Sequence, residues 1–288
     1  MLYYFDETAD QGYVDKTSTL DEYGVLVGLA IPEWKKESFE KKFDEVLFFL
    51  QQHDFKKLHC TEIFKKDSNE DIRKEMYKTF MEMDEYIIIH EGAYSVGVKQ
   101  NDEFLRDNLE KFIPNRPDHI KIRKSKDRTR LYITLLTGII VKLEECANIE
   151  DESEVHMISD RVDPQIQKKS NELLSKLQIP NSSVTAKSFN IKTCQKTEIK
   201  YKIEIQGEIT KIKKVKSISF EDRVTPLSFA ADFLCFEMLR HFRRKMKINK
   251  PIKFHSEEIM DGFQLKHKVA FLGENYFSDT VFWPEMNG

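Results

Sequence analysis

Cysteine is scarce in this 288-residue chain, and its four cysteines are far apart and form no CxxC pair. Paired cysteines are typical of structural zinc sites and of small disulfide-stapled folds, so the sequence argues against both classes. No apolar run approaches the roughly 20 residues that a membrane helix requires. The first residues also lack the basic region and long apolar stretch of a signal peptide. We therefore expect a cytoplasmic protein with reduced thiols and no membrane partner.

Charge is abundant but unevenly distributed along the chain. Residues 1–110 carry 25 acids and 14 bases, whereas residues 111–288 carry 24 acids and 32 bases. Such a split marks either a nucleic-acid-binding face on the basic part or ordinary solvated helix faces. Residues 121–130 contain six bases and one acid. If this stretch guides nucleic acid, the residues that follow the phosphate backbone are Lys121, Arg123, Lys124, Arg128 and Arg130.

Short apolar runs typical of strands alternate along the chain with segments of helical periodicity. The sequence contains no internal repeat. Strands are predicted at 2–5, 24–31, 86–98 with a break at Gly92, 155–160 and 184–189. Helices are predicted at 33–52, 69–83, 101–112, 128–148, 164–177 and 226–244. Basic and aliphatic residues alternate over 198–219, which predicts an exposed hairpin that includes Lys211, Lys213, Lys214 and Lys216. This order predicts an α/β fold, with one mixed sheet flanked by helices over residues 1–247 and a C-terminal extension at 248–288 that packs on the same domain.

Four carboxylates occupy apolar or strand-like surroundings. Asp6 ends the first predicted strand, Asp160 ends the fourth, Asp232 lies in a helical stretch with no other charge, and Glu62 follows a mixed run. A buried carboxylate is costly unless it is paired or binds a cation. Carboxylates that converge on one place repel one another, and Mg²⁺ or Mn²⁺ would remove that repulsion. Three of these acids also have a structural explanation: a turn for Asp6, an ion pair with Arg161 for Asp160, and a backbone hydrogen bond for Asp232.

The order of these motifs resembles the domain-of-unknown-function 3800 family, whose members look like RNase H-fold proteins. The matching segments are Tyr4-Phe-Asp-Glu-Thr-Ala-Asp10, the aliphatic strand from Gly24 to Ile31, Leu58-His-Cys-Thr-Glu62, Ile158-Ser-Asp-Arg161 and Leu227-Ser-Phe-Ala-Ala-Asp232. The likeness runs from Leu2 to about Arg240. This chain departs from the family pattern at Thr8-Ala9, where the family has Ser-Gly, and at Ser228, where it has Gln.

The resemblance implies a metal-dependent nuclease that hydrolyses phosphodiester bonds of RNA or DNA with two Mg²⁺ or Mn²⁺ ions. Carried over by motif, the ligands are Asp6, Glu62, Asp160 and Asp232. Glu7 is a second choice because strand alternation turns it away from Asp6. His59 either contacts a phosphate, relays a proton or is a partly buried structural histidine. The resemblance also suggests a phage-defence or mobile-element setting.

Two other functions stay open at this point. The first is a non-catalytic module of the same fold that binds nucleic acid or a partner protein, including a second copy of this chain. The second is a recombinase-type strand-transfer enzyme, although no separate DNA-binding domain is recognisable.

Overall fold

The structure is a computed structural model that describes residues 1–8, 23–51, 59–64, 69–99, 129–160, 162–179, 181–190, 195–204, 212–248 and 252–271. Its strands are β1 (Leu2–Thr8), β2 (Tyr23–Ile31), β3 (Ile87–Tyr94), β4 (Val155–Asp160), β5 (Asn181–Asn190), β6 (Gln195–Glu204) and β7 (Val215–Glu221). Its helices are α1 (Lys36–Gln51), α2 (Cys60–Ile63), α3 (Glu70–Met81), α4 (Arg130–Ile149), α5 (Pro164–Gln178) and α6 (Pro226–Ile248). Short 3₁₀ turns lie at Glu33–Lys35, Glu257–Met260 and Lys266–Lys268.

Five of the strands form one mixed sheet in the order β3-β2-β1-β4-β7. β1, β2 and β3 pair antiparallel, whereas β4 pairs parallel with both β1 and β7. Helices flank this sheet, so the α/β class predicted from the sequence is confirmed. The arrangement is compatible with the RNase H-like sheet that the motifs led us to expect.

The central position of β1 explains why its residues are apolar on both faces. Leu2 and Tyr4 belong to the core that α1, α3 and α6 cover, while Tyr3 and Phe5 belong to the core under α4 and α5. A strand buried on both faces reads as a continuous apolar run rather than an alternating one. The run at the start of the sequence therefore specifies the middle of the sheet.

Two predictions about strands are wrong. β3 continues through Gly92 and ends at Tyr94, and residues 95–99 are helical rather than extended. Gly92 is needed for packing, because a Cβ at that position would lie 2.5 Å from the ring of Phe254.

The predicted hairpin at 198–219 is also wrong. β6 pairs with β5 in a separate two-stranded sheet, whereas β7 belongs to the main sheet.

The remaining predictions on described residues agree with the structure to within a few residues at each end. Asp163 caps α5 by accepting a hydrogen bond from the backbone N–H of Gln165 at 2.7 Å. The predicted helix at 101–112 and most of the basic stretch at 121–130 lie outside the described residues. Within the described part of the chain, no helix is both long and apolar enough to cross a membrane.

Residues 252–271 lie against the outer edge of β3. Val269 forms a parallel bridge with Ile88, and the N–H of Ala270 donates to the Ile88 carbonyl at 2.9 Å. The segment thus covers hydrogen-bonding groups that an edge strand would otherwise expose.

A buried charged network joins this segment to β3 and α4. Lys142 Nζ lies 3.0 Å from Glu91 Oε2, 2.7 Å from His255 Nδ1 and 2.8 Å from the His90 carbonyl oxygen. His255 Nε2 lies 2.9 Å from Glu91 Oε1. The three ammonium protons of Lys142 therefore each have an acceptor, which is what a buried cation requires.

Candidate active site

Three parallel strands, β1, β4 and β7, end at the same edge of the sheet with acidic residues. β1 pairs with β4 as far as Phe5↔Ser159, so Asp6 and Asp160 are the next residues along their strands. β4 and β7 end on the directly opposed pair Asp160↔Glu221. The carboxyl ends of strands in open α/β sheets are where ligands commonly bind. Asp6 and Asp160 therefore lie on adjacent strands of one sheet.

Strand alternation determines the face on which each acid lies. Tyr4 belongs to the core under α6, so Asp6, two residues further on, occupies the same face. Asp160 follows Ile158 by two residues, and Ile158 packs against that core as well. Glu7 lies on the opposite face, as alternation predicted.

Glu221 joins Asp6 and Asp160 at this end of the sheet, which we call the acidic edge. Sequence reasoning missed Glu221. Its neighbour Phe220 packs against the core under α4 and α5, which places Glu221 on the face that Asp160 occupies. Burial raises the pKa of Glu221, and the charge of Asp160 adds to the shift, while a hydrogen bond from Thr225 opposes it. Recognising residues 215–220 as a strand would have revealed this acid, but the hairpin prediction concealed it.

Asp232 reaches the edge from α6. It is 7% exposed, and its Oδ2 accepts the backbone N–H of Cys60 at 2.8 Å. The same oxygen lies 3.6 Å from His59 Nδ1. Asp232 therefore fixes the single turn α2 against α6, which is the backbone-acceptor role that the sequence left open for it.

The carboxylates are close enough to affect one another's protonation. Burial raises the pKa of Asp6 well above its usual range, and the charges of Glu7, Asp232 and Asp160 raise it further. Burial also raises the pKa of Asp160, with the charge of Asp232 adding to the shift. Repulsion of this kind disfavours the fully ionised cluster and favours any cation that approaches it.

The first turn of α6 holds two of these acids in place. Thr225 Oγ1 donates to Glu221 Oε2 at 2.8 Å and accepts the backbone N–H of Ser228 at 3.2 Å. The Ser228 hydroxyl accepts the Thr225 N–H at 2.8 Å and lies close enough to Asp160 to oppose the rise in that carboxyl's pKa. Thr225 thus caps α6, which begins at Pro226 as the sequence predicts. Ser228, where the family pattern has Gln, therefore contacts the acidic edge directly.

The oxygen donors at this edge suit Mg²⁺ or Mn²⁺ in their chemistry. Asp160 Oδ1 is buried and has no hydrogen-bond partner among the described residues, so it is available to a cation. In the described ranges, however, no three His, Cys, Asp or Glu side chains are grouped closely enough to hold a metal ion.

The structure does not bring Glu62 into this group, since its side chain is exposed on the turn α2. His59 is also exposed, and this contradicts the option of a partly buried structural histidine. His59 lies close enough to Asp160 to oppose the rise in that carboxyl's pKa. The exposed imidazole is thus at the solvent side of the acidic edge.

Most of the basic residues predicted to contact nucleic acid fall outside the described residues, namely Lys121, Arg123, Lys124 and Arg128. Arg130 is the first residue of α4 and is half-buried. Burial raises the pKa of Tyr132, two residues further on, and the charges of Glu7 and Asp6 contribute to that rise. The start of α4 therefore lies near the acidic edge.

No family model, curated protein or solved structure matches this chain. The resemblance to the domain-of-unknown-function 3800 family therefore rests on the sequence motifs and on their order.

Proposed function

We propose that this protein is a metal-dependent nuclease that hydrolyses phosphodiester bonds of RNA or DNA. The observation that supports this proposal is the position of Asp6, Asp160 and Asp232, which come from two adjacent strands and a helix. They lie within electrostatic reach of one another on one buried face, at the carboxyl ends of parallel strands. Burying several carboxylates together is costly, and a divalent cation is the usual compensation.

In this proposal Asp6, Asp160 and Asp232 hold the cation, with Glu221 beside them. A divalent cation supplies charge neutralisation for a phosphodiester and polarises the water that attacks it. Thr225 orients Glu221 through the hydrogen bond described above, and Ser228 lies beside Asp160.

Two residues of the α2 turn complete the proposed site. The Cys60 N–H fixes one oxygen of Asp232 and leaves the other for the cation. His59, exposed at the rim, is positioned to contact a phosphate oxygen or to transfer a proton.

The test is to incubate the purified protein with labelled single- and double-stranded RNA, DNA and hybrid, with Mn²⁺ or with EDTA. We expect cleavage of at least one substrate with Mn²⁺ and none with EDTA. Asp160→Asn should abolish this cleavage, whereas Asp71→Asn, a matched change of an exposed acid on α3, should leave it unchanged. Cleavage that persists in Asp160→Asn would rule out the proposed site.

A second candidate, a non-catalytic module that binds nucleic acid, is favoured by one observation. The described residues contain no ready group of three metal ligands. Calorimetric titration with Mn²⁺ separates the two candidates. A nuclease should bind Mn²⁺ and lose that binding in Asp160→Asn, whereas a non-catalytic module should bind nucleic acid equally well with Mn²⁺ and with EDTA.

A further inference from the structure

The ribbon formed by β5 and β6 and the chain that follows it are basic, whereas the rest of the protein has a net negative charge. Residues 181–216 contain nine lysines and three glutamates, a net charge of +6. The other 252 residues contain 37 bases and 46 acids, a net charge of −9. A basic segment on a protein of net negative charge attracts a polyanion.

The register of the ribbon separates charged from uncharged residues. β5 and β6 pair antiparallel over ten residues each, from Asn181↔Glu204 to Asn190↔Gln195. Alternation therefore assigns every charged residue of both strands to one face. That face carries Lys187, Lys196, Glu198, Lys200, Lys202 and Glu204. The opposite face carries no charge and includes Val184, Ala186, Ile199, Tyr201 and Ile203.

Three of the four lysines on the charged face have no acid opposite them. Lys187 is directly opposite Glu198, which offsets it. Lys196, Lys200 and Lys202, by contrast, are opposite Phe189, Thr185 and Ser183. The charged face therefore presents three lysines along one strand whose directly opposite residues are all uncharged.

We infer that the charged face of the ribbon, called the lysine face after Lys196, Lys200 and Lys202, binds double-stranded DNA through the major groove. A two-stranded ribbon has strands about 4.8 Å apart and fits the roughly 12 Å wide major groove of B-form DNA. Ten residues at about 3.3 Å each make the ribbon about 33 Å long, close to one helical turn. Double-stranded RNA is a poorer fit because its major groove is deep and narrow.

A second copy of this chain is a weaker occupant of the ribbon. Two ribbons stacked through their uncharged faces would bury an area of about 33 Å by 10 Å, or roughly 330 Å² per copy. Specific, stable protein interfaces bury roughly 800 Å² per partner. Ribbon stacking alone would therefore not sustain a dimer.

The ribbon is formed by β5 and β6, whereas the acidic edge is formed by the ends of β1, β4 and β7 and by α6. DNA binding by the ribbon and cleavage at the acidic edge are thus separable measurements. The inference names the substrate of the proposed nuclease, and rests on that function only for what happens to the DNA after it is bound.

The experiment measures binding of a labelled 20-base-pair DNA duplex in EDTA over a range of salt concentrations. The test variant is Lys196→Gln/Lys200→Gln/Lys202→Gln. The control, Lys41→Gln/Lys168→Gln/Lys247→Gln, makes the same charge change at exposed lysines of the helices. Removing three phosphate contacts should flatten the slope of log K against log salt by about 2.7, while the control keeps the wild-type slope.

One further variant and the choice of buffer keep the outcome interpretable. Lys196→Arg/Lys200→Arg/Lys202→Arg should retain the wild-type affinity, which shows that charge rather than a folding defect is responsible. Because binding is measured in EDTA, a failure of the proposed Mn²⁺-dependent cleavage would leave this result intact.

The inference is overturned by wild-type protein that fails to bind duplex DNA, by an unchanged slope in the glutamine variant, or by tighter binding of duplex RNA than of duplex DNA. Light scattering provides one more decisive outcome. A dimer that the glutamine variant dissociates would assign the lysine face to a second copy instead.

Discussion

Asp232 combines a structural and a chemical role in one side chain. Its neighbours along α6 are apolar, and its Oδ2 accepts the Cys60 N–H at 2.8 Å. Its charge also raises the pKa of Asp6 and of Asp160. The hydrogen bond stabilises the fold, whereas the charge works against it when no cation is bound. A substitution that removes the charge of Asp232 but keeps an acceptor oxygen therefore distinguishes the two roles.

We predict that Asp232→Asn melts at the same temperature as the wild type or slightly higher in EDTA. Asparagine keeps an oxygen for the Cys60 N–H and removes the repulsion with Asp6 and Asp160. Asp232→Ala, which removes the acceptor, should lose about 1–3 kcal/mol of unfolding free energy. Chemical denaturation of both variants measures the difference. Equal destabilisation by Asn and Ala would show that the negative charge itself stabilises the fold.

His90 is the buried histidine with the largest consequence for pH. Burial lowers its pKa to about 3, with Lys142 and His255 adding to the shift. Its Nε2 donates to the Phe254 carbonyl at 2.7 Å, and its Nδ1 is buried without a hydrogen-bond partner among the described residues. The folded state therefore excludes a proton that the unfolded chain binds below pH 6.5 or so. This makes the folded protein less stable as the pH falls.

We predict that this loss begins below about pH 6.5 and that His90→Gln removes it. Each pH unit below that point should cost the wild type about 1.4 kcal/mol relative to the variant, or about 2 kcal/mol by pH 5. Urea denaturation of both proteins at pH 7, 6 and 5 measures the difference. The wild type must be compared with His90→Gln because the raised pKa values of Asp6, Asp160 and Glu221 make both proteins more stable as the pH falls. The comparison cancels that contribution. Parallel profiles for the two proteins would contradict the prediction.

At the scale of elements, the contact between α4 and β3 depends on one glycine. A Cβ on Gly138 would lie 2.4 Å from Glu91 Oε2, so the absent side chain makes room for the buried glutamate. Burial alone would raise the pKa of Glu91, but His255 and Lys142 lower it to about 2. The ionised glutamate in turn holds Lys142 of α4 and His255 of the C-terminal segment. The packing of the helix and the position of the segment are therefore coupled.

We predict that Gly138→Ala destabilises the protein by about 1–3 kcal/mol, because it crowds a filled core. The same change at an open helix position would stabilise by about 1 kcal/mol. In a Glu91→Ala background the clash is gone, so Gly138→Ala should then be neutral or stabilising. Denaturation of the four proteins of this cycle provides the coupling energy. A stabilising Gly138→Ala in the wild-type background would contradict the described packing.

The elements with strong periodicity were predictable from the sequence, and those that depend on distant partners were not. The apolar stripe of Leu131, Leu135, Ile139 and Leu143 is buried along α4, as the spacing predicts. β7 was missed because it is an edge strand, whose buried Val215 and Ile218 alternate with exposed lysine and serine. An edge strand of this kind has the same pattern as a solvated hairpin.

At the acidic edge, too, local sequence patterns did not reveal contacts with distant partners. Asp6, Asp160 and Asp232 were recognisable because acids are conspicuous in apolar runs. Glu221 required knowledge of the partner strand, and the Cys60–Asp232 hydrogen bond joins residues 172 positions apart. Local patterns thus identified most of the candidate carboxylates, but not the contacts that orient them.

At the scale of the whole molecule, the sheet topology brings acidic residues together, whereas basic residues cluster along the sequence. The parallel strands bring acids from the beginning, middle and end of the chain to one edge of the sheet. Basic residues are clustered in the segment between α5 and the acidic end of β7, in residues 121–130 and in residues 240–253.

The most direct test of this account is Mn²⁺-dependent cleavage by wild-type protein and by Asp160→Asn on the same set of labelled nucleic acids. Asp160 is the most informative position because it is opposed to Glu221, interacts with Asp232 and has a buried oxygen that no described residue hydrogen-bonds. We predict cleavage by the wild type with Mn²⁺, none with EDTA, and none by Asp160→Asn, which should remain folded. Equal cleavage by the two proteins, or none by the wild type on any substrate, would contradict the account.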